Sequence, residues 1–130
     1  MGNKISCLGS KKSKKEEEEQ EDLYNIPDIE KFIHKYNCSI IQSTYNLIKK
    51  GEKYNLYLCE NDLIIKNRNK NFSFIYNNII AWTFNEHFFG FTYKNLNKAE
   101  EIVICVKNGH KIASNLKMII YDLVDYYKNI

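Results

Sequence analysis

A chain of 130 residues, 44% hydrophobic and 14% aromatic, has the size of one domain with a tail. Its 19 basic and 16 acidic side chains leave a formal charge of only +3, with no dense basic stripe, which excludes a general nucleic-acid footprint. No run reaches the roughly 18 apolar residues that span a bilayer, and lysines follow the first residues where a signal sequence would be apolar, so neither a span nor a secretory signal is expected.

The chain opens MGNKISC. Met1-Gly2 with Ser6 fits M-G-x-x-x-[ST], the acceptor pattern for N-myristoylation once Met1 is removed. Gly2 is therefore the expected myristoyl acceptor, and the neighbouring Cys7 the expected S-palmitoyl acceptor. Their modification requires an N-myristoyltransferase and a palmitoyl acyltransferase as partners. One myristoyl chain binds a membrane only marginally, at roughly 10⁴ M⁻¹, and a second chain adds about 0.8 kcal/mol per buried CH₂. Lys4, Lys11, Lys12, Lys14 and Lys15 add on the order of 1 kcal/mol each near an anionic surface. The run Glu16–Asp22 follows at once, within a Debye length of about 8 Å, and offsets part of that attraction. Cys7 is thus expected to supply most of the second anchoring signal. Blockwise charge without apolar periodicity predicts a disordered tail over 1–22 and a folded unit over 23–130.

Residues 26–36, IPDIEKFIHKY, predict a short N-terminal helix: Pro27 suits its first turn, and Ile29, Phe32, Ile33 and Tyr36 share one face. From Cys38 the pattern becomes short β-rich runs separated by Asn- and Gly-bearing turns. The predicted strands are Ser39–Leu47, Tyr54–Cys59, Leu63–Lys66, Phe72–Tyr76, Ile79–Phe84, Phe88–Tyr93 and Glu101–Lys107. Seven closely spaced strands imply consecutive hairpins in a sandwich or barrel. After Asn108, a candidate N-cap, residues 110–130 place Ile112, Leu116, Ile119, Ile120, Leu123, Val124 and Tyr127 on one helical face that must dock on something.

The four cysteines form no C-x-x-C pair. Cys38, Cys59 and Cys105 sit in apolar runs and are expected to be free buried thiols, and with His34, His87 and His110 they lack the spacing of a metal site. No nucleophile–histidine–acid order, phosphate loop or carboxylate pair is present, so neither an enzyme nor a cofactor is expected. Trp82 and its aromatic neighbours are expected to fill the core.

Seven strands and a closing amphipathic helix, behind MGNKISC, resemble the inner membrane complex sub-compartment proteins of apicomplexan parasites. The Asn/Lys/Ile-rich composition is similar to that of a malaria-parasite member. The resemblance implies a mainly β, pleckstrin-homology-like fold: a seven-stranded open barrel capped by a C-terminal helix. It implies a peripheral protein held on the cytoplasmic side of the inner membrane complex by acyl chains at Gly2 and Cys7. Its domain would engage protein partners of the pellicle or membrane skeleton. Family members often carry two tail cysteines, whereas this chain has only Cys7.

Pleckstrin domains that bind phosphoinositides gather cations around the first hairpin. The matching stretch here, LIKKGEKYNLYL, has Lys49, Lys50 and Lys53, with Lys66 and Arg68 in the next hairpin. Tyr54-Asn55-Leu56 follows where a basic pair should stand. A phosphoinositide-sensing adaptor is therefore the alternative expectation, and a tethered protein-interaction module the first.

Overall fold

The first strand begins earlier than its apolar run suggests, because the chain is captured by a neighbour. The structure is a computed structural model that describes residue 29 and residues 31–129. Strand β1 (His34–Ser43) pairs antiparallel with β2 (Lys53–Leu58), His34 opposite Leu58 and Cys38 opposite Tyr54. The Ile33 N–H extends this ladder, donating to the Leu58 carbonyl at 2.8 Å. The expected N-terminal helix is corrected here: its last residues, His34–Tyr36, are strand. Residues 26–28 and 30 lie outside the described residues. So do the tail 1–22, with Gly2, Lys4, Cys7, Lys11, Lys12, Lys14 and Lys15, and the expected boundary at residue 23.

The chain continues through β3 (Asp62–Lys66) and β4 (Asn71–Ile75), then a 3-10 turn at Tyr76–Asn78. Strands β5 (Ile79–Phe84), β6 (Phe88–Asn95) and β7 (Lys98–Cys105) precede helix α1 (Gly109–Lys128). The strands form one antiparallel sheet in the order β4-β3-β2-β1-β7-β6-β5. It is two meanders joined by β1, which pairs with β2 along one edge and β7 along the other. A register shift between Ile40 and Gln42 bends β1 at the join. The sheet is open, ending at β4 and β5, yet it curls. Phe74 of β4 meets Phe91 and Tyr93 of β6 at ring distances of 5.2 and 4.6 Å.

The concave face holds the core. Alternation sends Tyr54, Leu56 and Leu58 of β2, Leu63 and Ile65 of β3, Phe89 and Phe91 of β6, and Ile102 and Ile104 of β7 inward, all buried. Full burial of each aliphatic side chain contributes about 1.5–3 kcal/mol. Helix α1 supplies Ile112, Ala113, Leu116 and Ile119 to the same cluster. Asn108 caps it as expected, its side-chain oxygen accepting from the Lys111 N–H at 3.2 Å. Gly109 permits the first turn to dock: a Cβ there would fall on the carbonyl oxygens of Phe88 and Asn85. Asn115 donates to the Tyr36 hydroxyl at 2.6 Å, fixing α1 against the start of β1.

Cys38 and Cys59 are buried thiols outside any disulfide, and the Cys38 thiol donates to the Tyr54 carbonyl at 3.5 Å. Cys105, expected to be a third free thiol, is instead disulfide-bonded. No described helix is long and apolar enough to cross a membrane.

Candidate functional site

Two loops meet at one end of the sheet; of the five cations of the alternative expectation they carry Lys49, Lys50 and Arg68, while Lys53 and Lys66 stand at the adjoining strand ends. The β1–β2 loop turns at Gly51, whose φ of +89° is the left-handed region that glycine occupies without strain. Its N–H donates to the Ile40 carbonyl at 2.8 Å. The β3–β4 turn is built by Asn67, whose side-chain oxygen accepts from the N–H groups of Asn69 and Lys70 at 2.9 and 2.8 Å. The Asn67 amide also donates to the Lys53 carbonyl at 3.0 Å, tying the two hairpins together.

Glu52 stands at the junction. Its carboxylate accepts from the Lys49 N–H at 2.7 Å, the Tyr54 hydroxyl at 2.8 Å and the Lys70 ammonium at 2.7 Å. Lys70 donates as well to the Leu47 carbonyl at 2.9 Å. Burial alone would raise the Glu52 pKa. The hydrogen bonds from Lys70, Lys49 and Tyr54, with the Lys70 charge, outweigh it and hold the carboxyl below its usual range. Tyr54 responds in the opposite direction: burial, then the Glu52 hydrogen bond and charge, push its phenol well above the ordinary value.

The expected cations do not converge. Lys49 and Lys50 are exposed beside Gly51, and Arg68 is exposed on the β3–β4 turn. Lys53 and Lys66 alternate with inward-facing Tyr54 and Ile65, so they belong to the outer face of the sheet. The junction between the loops is filled by Glu52, which neutralises Lys70. A phosphate cage needs several cations and a forked guanidinium aimed at one point. This end of the molecule instead presents a diffuse positive rim, suited to weak attraction by an anionic surface.

Lys70 and Glu52 were outside the five-residue expectation. The signal was the spacing of two loops, which only β2–β3–β4 pairing brings together. Among the described residues no three His, Cys, Asp or Glu side chains gather as a metal site. The buried thiols are poor nucleophiles: burial pushes Cys38 far above its usual value, and burial with the Asp62 charge pushes Cys59 up to about 11.

A second concave surface runs between β5 and α1. Trp82, expected in the core, is only partly buried and forms one wall of it. No protein-family model matches the chain, and no curated protein matches it.

Proposed function

We propose that this chain is a dually acylated peripheral membrane protein. Its tail tethers a pleckstrin-homology-like protein-interaction module to the inner membrane complex of an apicomplexan parasite, where the module organises the pellicle by binding protein partners. The observation that carries this reading is the adjacency of Gly2, Ser6 and Cys7 in the first seven residues. Support for the pleckstrin-like part comes from the strand order β4-β3-β2-β1-β7-β6-β5, its curl and the closing helix α1. Cys38 and Cys59, buried and with raised pKa values, offer poor alternatives to Cys7 as an acyl acceptor.

Mass spectrometry of the native N-terminus tests the tether directly. The expected result is an acyl amide on Gly2 and a hydroxylamine-sensitive thioester on Cys7. Cys105 is disulfide-bonded, so a disulfide is the state that must be told apart from a thioester. The measurement therefore compares hydroxylamine with dithiothreitol. A Cys7 released only by the reductant overturns double acylation. Gly2→Ala is expected to release the protein from the membrane fraction. Cys7→Ser is expected to weaken vesicle partitioning at least about tenfold, because two methylenes already exceed that ratio.

The second reading, a phosphoinositide adaptor using Lys49, Lys50, Lys53, Lys66 and Arg68, draws on the joined β1–β2 and β3–β4 loops. Unacylated protein mixed with liposomes decides between the two. Saturable, head-group-selective binding supports the adaptor. Weak binding that tracks total anionic charge and fades with salt supports the tether.

A further inference from the structure

The groove between β5 and α1 has an occupant problem that its chemistry helps to solve. Trp82 and Phe84 form one wall, Ile120 and Tyr121 line the other side, and the small side chains of Ala113 and Ser114 leave room between them. The volume is about 590 Å³, inside the usual range of roughly 300–1,000 Å³ for small-molecule sites. Phe84 and His110 meet edge to face at 5.2 Å at one end. From His110 to Tyr121 the helix runs about 16 Å at 1.5 Å per residue, the length of an extended myristoyl chain. The lining is mostly apolar, and Lys117 lies along it with its ammonium 5.6 Å from the Tyr121 ring centre.

We propose that this groove is a fatty-acyl site that seats the myristoyl group of the chain's own Gly2, holding the protein in a membrane-released state. The inference rests on acylation of Gly2, as proposed above. The chain ahead of Lys31 supplies about 30 residues, roughly 100 Å when extended, against a radius of gyration of about 13 Å for a hundred-residue domain. At the start of β1, five residues after Lys31, Tyr36 is bonded to Asn115 of the helix. Charge favours the same path. Residues 107–121 carry Lys107, Lys111 and Lys117 and no acid, and the tail carries Glu16–Asp22. Seated, the acyl chain is withdrawn from water without a bilayer; released, it anchors. Apparent membrane affinity then falls by the fraction of molecules whose chain is seated.

Trp82 is the sole tryptophan and reports on the groove directly. The test compares full-length protein made with and without a myristoyl group on Gly2, the modification verified by mass. Myristoylation is expected to shift Trp82 emission to the blue. Ser114→Phe, at an exposed position that lines the groove, is expected to abolish the shift. It is also expected to raise vesicle partitioning of the myristoylated protein on the order of tenfold, to phosphatidylcholine/phosphatidylserine vesicles. Ser114→Glu is the second variant, with the same expectation, and thermal melts of the unacylated variants identify any that do not fold. Identical Trp82 emission with and without the attached chain, or partitioning unchanged by both folded variants, overturns the proposal. Binding of free sodium myristate without any effect of the attached chain also overturns it, as does burial of Trp82 by concentration-dependent self-association. These outcomes concern protein acylated by design. Failure of the tether reading shows separately, as an unmodified native Gly2.

Discussion

Gly109 and Leu96 show how single positions are set by backbone rather than side-chain chemistry. A Cβ at Gly109 meets two carbonyl oxygens, and neither can move without breaking the β5–β6 turn or the helix start. Gly109→Ala is therefore expected to destabilise by about 1–3 kcal/mol, read as a lower urea midpoint. Leu96, between β6 and β7, is 89% exposed and holds a φ of +57°, a region that disfavours branched side chains. Leu96→Asn is expected to stabilise by about 0.5–1 kcal/mol, because asparagine tolerates this conformation. The sequence pointed to a turn there, but an Asn-rich stretch does not say which residue takes the left-handed position. Glu52 carries an acid-side prediction. Its folded pKa is depressed, so its contribution is present above the ordinary carboxylate value of about 4.3 and is lost as pH falls through the folded value. Glu52→Gln is expected to flatten the acid limb of a melting-temperature profile and leave the neutral plateau lower.

At the scale of elements, α1 separates what periodicity reveals from what it conceals. Seven apolar positions were legible on one face. Ile112, Leu116 and Ile119 are buried, Ile120 and Leu123 partly so, and Val124 and Tyr127 are exposed. A hydrophobic stripe gives the direction of docking but not where the partner surface ends. Leu116→Ala is accordingly expected to cost about 2–5 kcal/mol, and Tyr127→Ala less than about 0.5 kcal/mol, by denaturant titration. Amides beyond Leu123 are expected to exchange faster than those of the first three turns. The start of β1 misled for a related reason. Ile29, Phe32, Ile33 and Tyr36 satisfy helical spacing, but over so few residues the pattern is outweighed by the ladder to β2. The other strands were legible within a few residues, because Asn-Asp, Asn-Asn and Lys-Gly turns punctuate them.

For the molecule as a whole, the buried phenols and thiols set an alkaline limit. Burial raises the pKa values of Tyr54 and Tyr76, takes Tyr93 up to about 12 and takes Cys59 up to about 11. Groups raised on folding contribute stability that is complete below their ordinary values of 9.0 and 10.0 and is lost as pH rises through the folded ones. Melting temperature is expected to hold to about pH 9 and to fall steadily above it. The β1–β7 pairing was the part of the architecture that sequence could not announce, since no local pattern records which distant strand a chain will meet. The loop junction at Glu52 and Lys70 was hidden for the same reason.

That pairing also orders events during synthesis. Thr44, just after β1, bonds Glu100 in β7, 56 positions further along the chain, and at about 5–20 residues per second the ribosome needs several seconds to deliver that partner. Until then the sheet has no way to complete itself, and α1 has nothing to rest on. Under the acylation proposed for Gly2, an enzyme that meets the residue as it emerges would encounter a chain whose sheet is not yet complete, and the fatty chain would be in place before the folded body that must carry it.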